Sequence, residues 1–324
     1  MTETLTRPRF NGIGARLSQS LEIRMLGLAL AIFVSLSFLS PYFLTSSNLF
    51  NVLDQSVVVG IVAIGMTFVI LTGGIDLSVG SVAGFTGVIL GLTLQDFPIP
   101  VAIGFAVMSG AFIGLISGIL VGYFGLAAFV VTLGMMAIAR SLAYIFSGQT
   151  SISGIPVELS ALVYTTVFGI PLNVVCLAAL YILAGLYLSY TKGGRTVYAI
   201  GSNKEAARAA GLSVTFYSIL PYVISGAFAA IAVTFLTAQI LSVDPLTGNL
   251  LELDAIAAVV IGGASLYGGR GSIAGTLIGV LIMVMIRNGL NLMGVSPFWQ
   301  GSAIGSIIIL ALLVERILSR RSAH

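Results

Sequence analysis

The stretch "VVVGIVAIGMTFVILTGGIDLSVGSVAGFTGVILGLTL", residues 57–94, decides the fold class. Its two apolar runs, 57–72 and 76–92, approach the roughly 20 residues that an α-helix needs to cross a hydrocarbon core of about 30 Å. Between the runs lie two glycines and Asp76. A carboxylate and a glycine-rich backbone are costly against lipid, so this turn is expected to face protein or a polar cavity inside a helical bundle.

The composition extends this pattern to the whole chain. Of its 324 residues, 58% are hydrophobic and 8% are charged, against roughly 25% charged residues in an ordinary soluble domain. The apolar segments are continuous, unlike barrel strands, which alternate. We predict an all-α, polytopic helical membrane protein with about ten transmembrane helices. The predicted spans lie near 24–40, 57–72, 76–92, 99–122, 126–147, 172–190, 216–240, 254–267, 273–292 and 298–318.

The basic residues predict the orientation of the bundle. With both termini cytoplasmic, twelve of the fourteen lysines and arginines fall in cytoplasmic loops and tails, and only Arg140 and Arg287 lie within spans. This distribution follows the positive-inside rule. We expect a multi-pass protein of a bacterial inner (plasma) membrane, with a cytoplasmic tail at 1–23, one transmembrane domain at 24–318 that includes an inner loop at 191–215, and a tail at 319–324.

The first apolar run, 24–40, follows several arginines and could be taken for a secretory signal. No small-x-small cleavage site follows it, so we interpret it as a retained span.

The fourth span carries Gly110, Gly114, Gly118 and Gly122 at intervals of four residues. Small residues at this spacing let helix backbones approach closely, so we predict tight helix-to-helix contacts there.

The polar residues of the opening stretch have two interpretations. In the first, Gly73 and Gly74 form a turn and Asp76 caps the next helix, because a carboxylate accepts backbone N–H groups at the positive end of the helix dipole. In the second, the polar side chains border a translocation route, which Asn288 and Asn291 near Arg287 also line. The candidate pathway residues are Thr72, Asp76, Ser78, Ser81, Asn288 and Asn291.

The rare residue types argue against an enzyme. The chain has one histidine, His324, and one cysteine, Cys176, so no nucleophile–base pair and no metal-ligand cluster is expected. A phosphate-binding loop requires Gly-Lys-Ser/Thr, yet Lys192 follows Thr191 and Lys204 follows Asn203. We therefore expect no catalytic residue, metal or cofactor in this chain. A transport cycle would be driven by a partner that hydrolyses ATP or, as the alternative, by protons carried on Asp76.

The inner loop contains the run "NKEAARAAG", 203–211, which favours a short helix closed by Gly211. An ordered helix on the membrane surface gives a partner protein something to push against. The alternative is an amphipathic helix that rests on anionic lipid through Lys204 and Arg208.

Three segments carry a resemblance to a known family. They are "AIGMTFVILTGGIDLSVGSVAG" at 63–84, "AIGSNKEAARAAGLSV" at 199–214, and "ELDAIAAVVIGGASLYGGRGSIAGTLIGVLIMVMIRNGLNLMGVSPFWQ" at 252–300. They resemble the membrane subunits of bacterial ATP-binding-cassette (ABC) importers for ribose and related monosaccharides. The resemblance covers nearly the whole chain beyond about residue 25.

The resemblance implies a permease that moves a ribose-like pentose or a related sugar or polyol from periplasm to cytoplasm. It implies four partners: a cytoplasmic ATPase that holds ATP and Mg, a periplasmic sugar-binding protein, a second permease copy or paralogue, and membrane lipid. No nucleic-acid partner is expected. The inner-loop signature of these importers matches Glu205, Ala206, Ala207 and Gly211, which implies that this helix couples the ATPase to the spans.

Overall fold

The computed structural model describes residues 21–296, 299–302, 305–306, 309 and 313. These residues are nearly all helical, which confirms the predicted fold class. The named helices are α1 (Leu21–Leu39), α2 (Ser46–Leu71), α3 (Val79–Thr93), α4 (Ile99–Gly122), α5 (Ala128–Ser147), α6 (Ala161–Tyr164), α7 (Leu172–Tyr190), α8 (Lys192–Ser202), α9 (Lys204–Ala209), α10 (Val214–Ile240), α11 (Leu251–Ile261) and α12 (Ile273–Leu292).

Seven of these helices are long and apolar enough to cross a membrane: α1, α2, α4, α5, α7, α10 and α12. Helices α3 and α11 have only 15 and 11 residues, and a rise of about 1.5 Å per residue makes both shorter than a hydrocarbon core. They occupy the predicted spans 76–92 and 254–267. The tenth predicted span, 298–318, and the predicted tails 1–23 and 319–324 lie mostly or wholly outside the described residues.

Helix α2 begins at Ser46, eleven residues before the predicted span. Polar residues in its first three turns interrupt the apolar pattern, so the sequence did not indicate that the helix begins this early. The structure gives two of them buried or half-buried partners: the Asn48 and Asn288 amides donate to each other, and Asp54 accepts a hydrogen bond of 2.8 Å from Asn173. A polar side chain that is hydrogen-bonded inside the protein costs little free energy to bury.

One region on the outer side departs from the all-helical pattern. A 3-10 helix at Val157–Ser160 precedes α6, and two-residue strands β1 (Thr166–Val167) and β2 (Ile170–Pro171) form an antiparallel hairpin. The hairpin places Phe168 at its tip with a positive φ of 52° and a fully exposed ring. None of these short elements was predicted from the sequence.

The glycines of α4 pack directly on α10, as the sequence predicts. A Cβ atom at Gly110 or Gly114 would collide with the carbonyl oxygen of Gly226 or Tyr222, and one at Gly118 would lie 2.7 Å from the Ile219 oxygen. Two helix backbones therefore touch with no side chain between them. Such contacts gain dispersion energy that lipid tails cannot match.

The chain between α10 and α11 runs without helix from 241 to 250, alongside α3. Val243 pairs with Ile152 through backbone hydrogen bonds of 2.7 and 3.0 Å. The guanidinium of Arg140 on α5 donates to the carbonyl oxygens of Pro245 and Thr247. Irregular backbone inside a membrane bundle needs protein partners for its polar groups. Arg140 is the partner of two of these carbonyl groups, and their oxygens in turn accept hydrogen bonds from its charged guanidinium.

We predict that Gly114→Ala destabilises the protein by about 1–3 kcal/mol, because the added methyl group must push α4 and α10 apart. The measurement is thermal unfolding of the purified protein in detergent. The matched control is Gly104→Ala on the same helix, where nothing lies within 4 Å of the new Cβ. Equal melting temperatures for the two variants would contradict the proposed backbone contact.

Candidate functional site

Asp76 lies in a glycine-loosened turn that joins α2 to α3. Gly73 has a φ of +80°, a conformation that favours glycine. The Asp76 side chain is 3% exposed. Its Oδ1 accepts hydrogen bonds from the Ser78 backbone N–H at 3.0 Å and the Ser78 hydroxyl at 2.6 Å, and its Oδ2 accepts one of 2.7 Å from Ser225 on α10. The carboxylate thus fixes the start of α3 and ties it to α10.

The other predicted pathway residues have protein partners of their own or are buried. Thr72 donates to the Val69 carbonyl at 2.8 Å, and Ser81 is 3% exposed. Asn288 pairs with Asn48, and Asn291 accepts from Gln300 at 2.6 Å. The structure places Thr72 at the end of α2, Asp76 and Ser78 in the turn that follows, and Ser81 in the first turn of α3. It places Asn288 and Asn291 near the C-terminal end of α12. Their role in translocation stays a prediction.

A cavity that was not among the sequence predictions opens between α2, α10, α11 and α12, with mostly apolar walls and several polar side chains. Its volume is about 220 Å³. Its polar lining residues are Asp54, Gln55, Gln239, Asn249, Asp254 and Arg287. Asp54 and Gln55, two adjacent polar residues in an apolar helix, were the sequence signal that could have indicated this site.

Arg287 forms an ion pair with a residue of the neighbouring helix α11. Its guanidinium donates to Asp254 on α11 at 2.7 Å rather than to Asn288 or Asn291. Asp254 is 4% exposed. The pair forms because α11 lies against α12 and brings the two charges together, which lowers the cost of burying each.

At the opposite end of the bundle, α9 forms an ordered helix on the surface. Asn203 caps it by accepting hydrogen bonds from the backbone N–H groups of Glu205 and Ala206 at 3.0 and 2.9 Å. Ala207 packs inward with Ile200 and Val214. The sequence predicted this short helix, and the structure confirms it.

The end of α9 also follows the sequence prediction, and the face of α9 that points away from the bundle is exposed. Gly211 follows the helix with a φ of +77°, as expected for a helix-ending glycine. The side chains of Glu205 and Arg208 are exposed. The surface they form is available to a partner, and its coupling role stays a prediction.

A family model described as "Branched-chain amino acid transport system / permease component" matches residues 48–314. The chain belongs to this permease family.

The permease is also similar to curated sugar permeases over most of its length. It is 39% identical to the ribose import permease protein RbsC of Escherichia coli (strain K12) over 91% of this chain and 94% of the relative. It is 38% identical to RbsC of Bacillus subtilis (strain 168), over 96% and 95% of the two chains. The D-allose transport system permease protein AlsC of Escherichia coli (strain K12) is 36% identical over 91% of each chain. No solved structure matches the permease.

These similarities and the seven long apolar helices make the protein a multi-pass subunit of an ABC importer in the inner membrane. It is a permease component and not an enzyme. Membership of the family implies an ATPase and a substrate-binding protein as partners.

Helix α8 joins the surface helix of the permease to its spans. The Tyr198 hydroxyl on α8 donates to the Gly271 carbonyl just before α12 at 2.9 Å. The Gly269 N–H donates to the Leu71 carbonyl at the end of α2, also at 2.9 Å, and a side chain at Gly201 would collide with that same oxygen. The Tyr198 hydroxyl is protonated at neutral pH and can donate this bond, and partial burial raises its pKa further above the ordinary value. Helices α2, α8 and α12 therefore meet at one junction.

We predict that Ser225→Ala lowers the free energy of unfolding by about 1.5–3 kcal/mol, because it removes a hydrogen bond to the buried Asp76 carboxylate. The measurement is thermal unfolding in detergent. The control is Ser35→Ala, whose hydroxyl is exposed and donates only to the Ala31 carbonyl of its own helix. If both variants melted at the wild-type temperature, the Asp76–Ser225 hydrogen bond would make no contribution to the stability of the protein.

Proposed function

We propose that this permease forms the membrane pathway that carries a ribose-like monosaccharide, or a related sugar or polyol, from periplasm to cytoplasm. The observation that carries this proposal is the similarity over nine-tenths of the chain to permeases named for ribose and D-allose. The chemistry of the bundle supports it. Amide and carboxylate side chains suit hydroxyl groups, and Arg140 and Arg287, which lie within the described spans, both have partners inside the protein.

The energy for import comes, in this proposal, from ATP and Mg bound to a separate cytoplasmic subunit. Neither lysine of the chain stands in a phosphate-binding loop. Helix α9 and the glycine that follows it, which together contain Glu205, Ala206, Ala207 and Gly211, form the proposed docking element for that ATPase. Closure of the ATPase would push α9, and the junction of α8 with α2 and α12 would pass the movement to the spans.

The proposed assembly also contains a second permease, either another copy of this chain or a paralogue, and a periplasmic sugar-binding protein. The binding protein would supply most of the affinity for the sugar. A permease that held the solute tightly would slow its release, so sparse polar groups along the route suit the task.

The test is solute uptake into proteoliposomes that contain the permease, its ATPase and its binding protein. D-ribose, D-allose, D-fructose and erythritol are compared, with ATP enclosed and no ion gradient. We expect uptake of at least one solute that requires both ATP and the binding protein. Uptake by the permease alone under a proton gradient, indifferent to ATP, would contradict the proposal and favour Asp76 as a proton carrier.

We predict that Glu205→Ala and Gly211→Pro each reduce ATP-driven uptake by about tenfold, as loss of a central contact in a protein interface does. Glu205 is exposed, so its replacement leaves the fold intact. Proline cannot adopt the φ of +77° found at Gly211. Uptake is measured at equal amounts of folded permease.

The matched control for the α9 variants is Glu158→Ala, an exposed glutamate in the outer 3-10 helix. Its uptake is expected to equal that of the wild type. If both α9 variants took up solute at the wild-type rate, the proposal that α9 couples the ATPase to the spans would be contradicted.

A further inference from the structure

The outer cavity, defined by the polar residues Asp54, Gln55, Gln239, Asn249, Asp254 and Arg287, is not explained by packing alone. It lies between α2, α10, α11 and α12, at the end of the bundle opposite α9. None of these six residues belongs to the pathway predicted from the sequence.

Three side-chain amides in the outer cavity have no protein partner within the described part of the chain. They belong to Gln55, which is partly buried, and to Gln239 and Asn249, which are exposed and open to water. Nearby amides behave differently: Asn48 and Asn288 pair with each other. An amide offers two donor hydrogens and an acceptor oxygen, so the three free amides are available to a solute that both donates and accepts hydrogen bonds.

The two carboxylates of the cavity each keep one oxygen available. Oδ1 of Asp54 accepts from Asn173, and Oδ1 of Asp254 accepts from Arg287. Among the described residues, neither Oδ2 accepts a hydrogen bond. Two carboxylates and one guanidinium leave a formal charge of −1 in the cavity, which repels phosphates and carboxylates while accepting hydrogen bonds from hydroxyl groups.

The size and the apolar walls of the cavity narrow the solute class further. Pockets for drug-sized ligands measure about 300–1,000 Å³, so a cavity of about 220 Å³ suits a smaller molecule. Val58, Leu236 and Met283 also line it and supply apolar surface. A monosaccharide has such a mixed surface, with C–H groups on its faces and hydroxyl groups around its edge.

We infer that the outer cavity is a binding site for one neutral, polyhydroxylated solute the size of a monosaccharide. The amides of Gln55 and Gln239 and the free oxygen of Asp254 hold its hydroxyl groups. The site receives the solute on the outer side of the permease and selects against anionic sugars. This inference rests on the proposed function, because it assumes that the transported solute is a sugar or polyol.

The test measures binding to the permease–ATPase complex in lipid nanodiscs without the binding protein. The probe is the solute that the uptake assay shows to be transported, in radiolabelled form, and the dissociation constant is measured by equilibrium dialysis. We expect Gln55→Leu and Gln239→Leu each to weaken binding by about tenfold, the upper end of what one neutral hydrogen bond contributes. A phosphorylated form of the same solute is expected not to compete.

The matched control is Gln95→Leu, at an exposed position outside the cavity, which is expected to bind as the wild type does. If the transported solute does not bind the complex, or if both cavity variants bind it with wild-type affinity, the inference is overturned while the proposed function stands. If none of the four solutes is taken up, the proposed function itself fails and the cavity inference fails with it.

Discussion

The constraint on which the structure depends is that every polar group inside a membrane bundle needs a partner. Asp76 meets it by accepting from Ser78 and Ser225, so the turn between α2 and α3 is fixed to α10. Arg140 meets it by donating to the carbonyls of Pro245 and Thr247, which allows ten residues of non-helical chain to lie beside α3. The polar groups that make the bundle irregular also hold it together.

Polar side chains that have no protein partner and stay accessible from outside the bundle are candidates for contact with a solute. The amides of Gln55 and Gln239 line the outer cavity without a partner among the described residues, whereas the buried amides of Asn48 and Asn288 are paired. At the other end of the bundle, Ala207 anchors α9 while the neighbouring side chains stay exposed. The permease therefore has a recess with several polar side chains at one end, an ordered surface helix at the other, and the α8 junction that connects α9 to α2 and α12.

The sequence predicted those features that depend on local pattern. Apolar length gave the fold class, glycine spacing gave the contact of α4 with α10, and alanine-rich composition with Gly211 gave α9. The partners of polar residues could not be predicted, because they lie far apart in sequence: Asp54 pairs with Asn173, 119 positions away, and Arg287 with Asp254, 33 positions away. The outer cavity depends on those long-range pairs and on the non-helical chain before α11, so the adjacent polar residues Asp54 and Gln55 were the only part of it that the local sequence pattern could have indicated.

The central claim is that ATP at the cytoplasmic end changes the shape of the outer end. It is tested most directly by the rate at which a membrane-impermeant maleimide labels Gln239→Cys in a Cys176→Ser background, which removes the only natural thiol. The full complex is compared without nucleotide and with a non-hydrolysable ATP analogue. We expect labelling rates that differ severalfold between the two states, because movement of α9 reaches the cavity through α2 and α12. Identical rates, in a complex that still hydrolyses ATP, would contradict the claim.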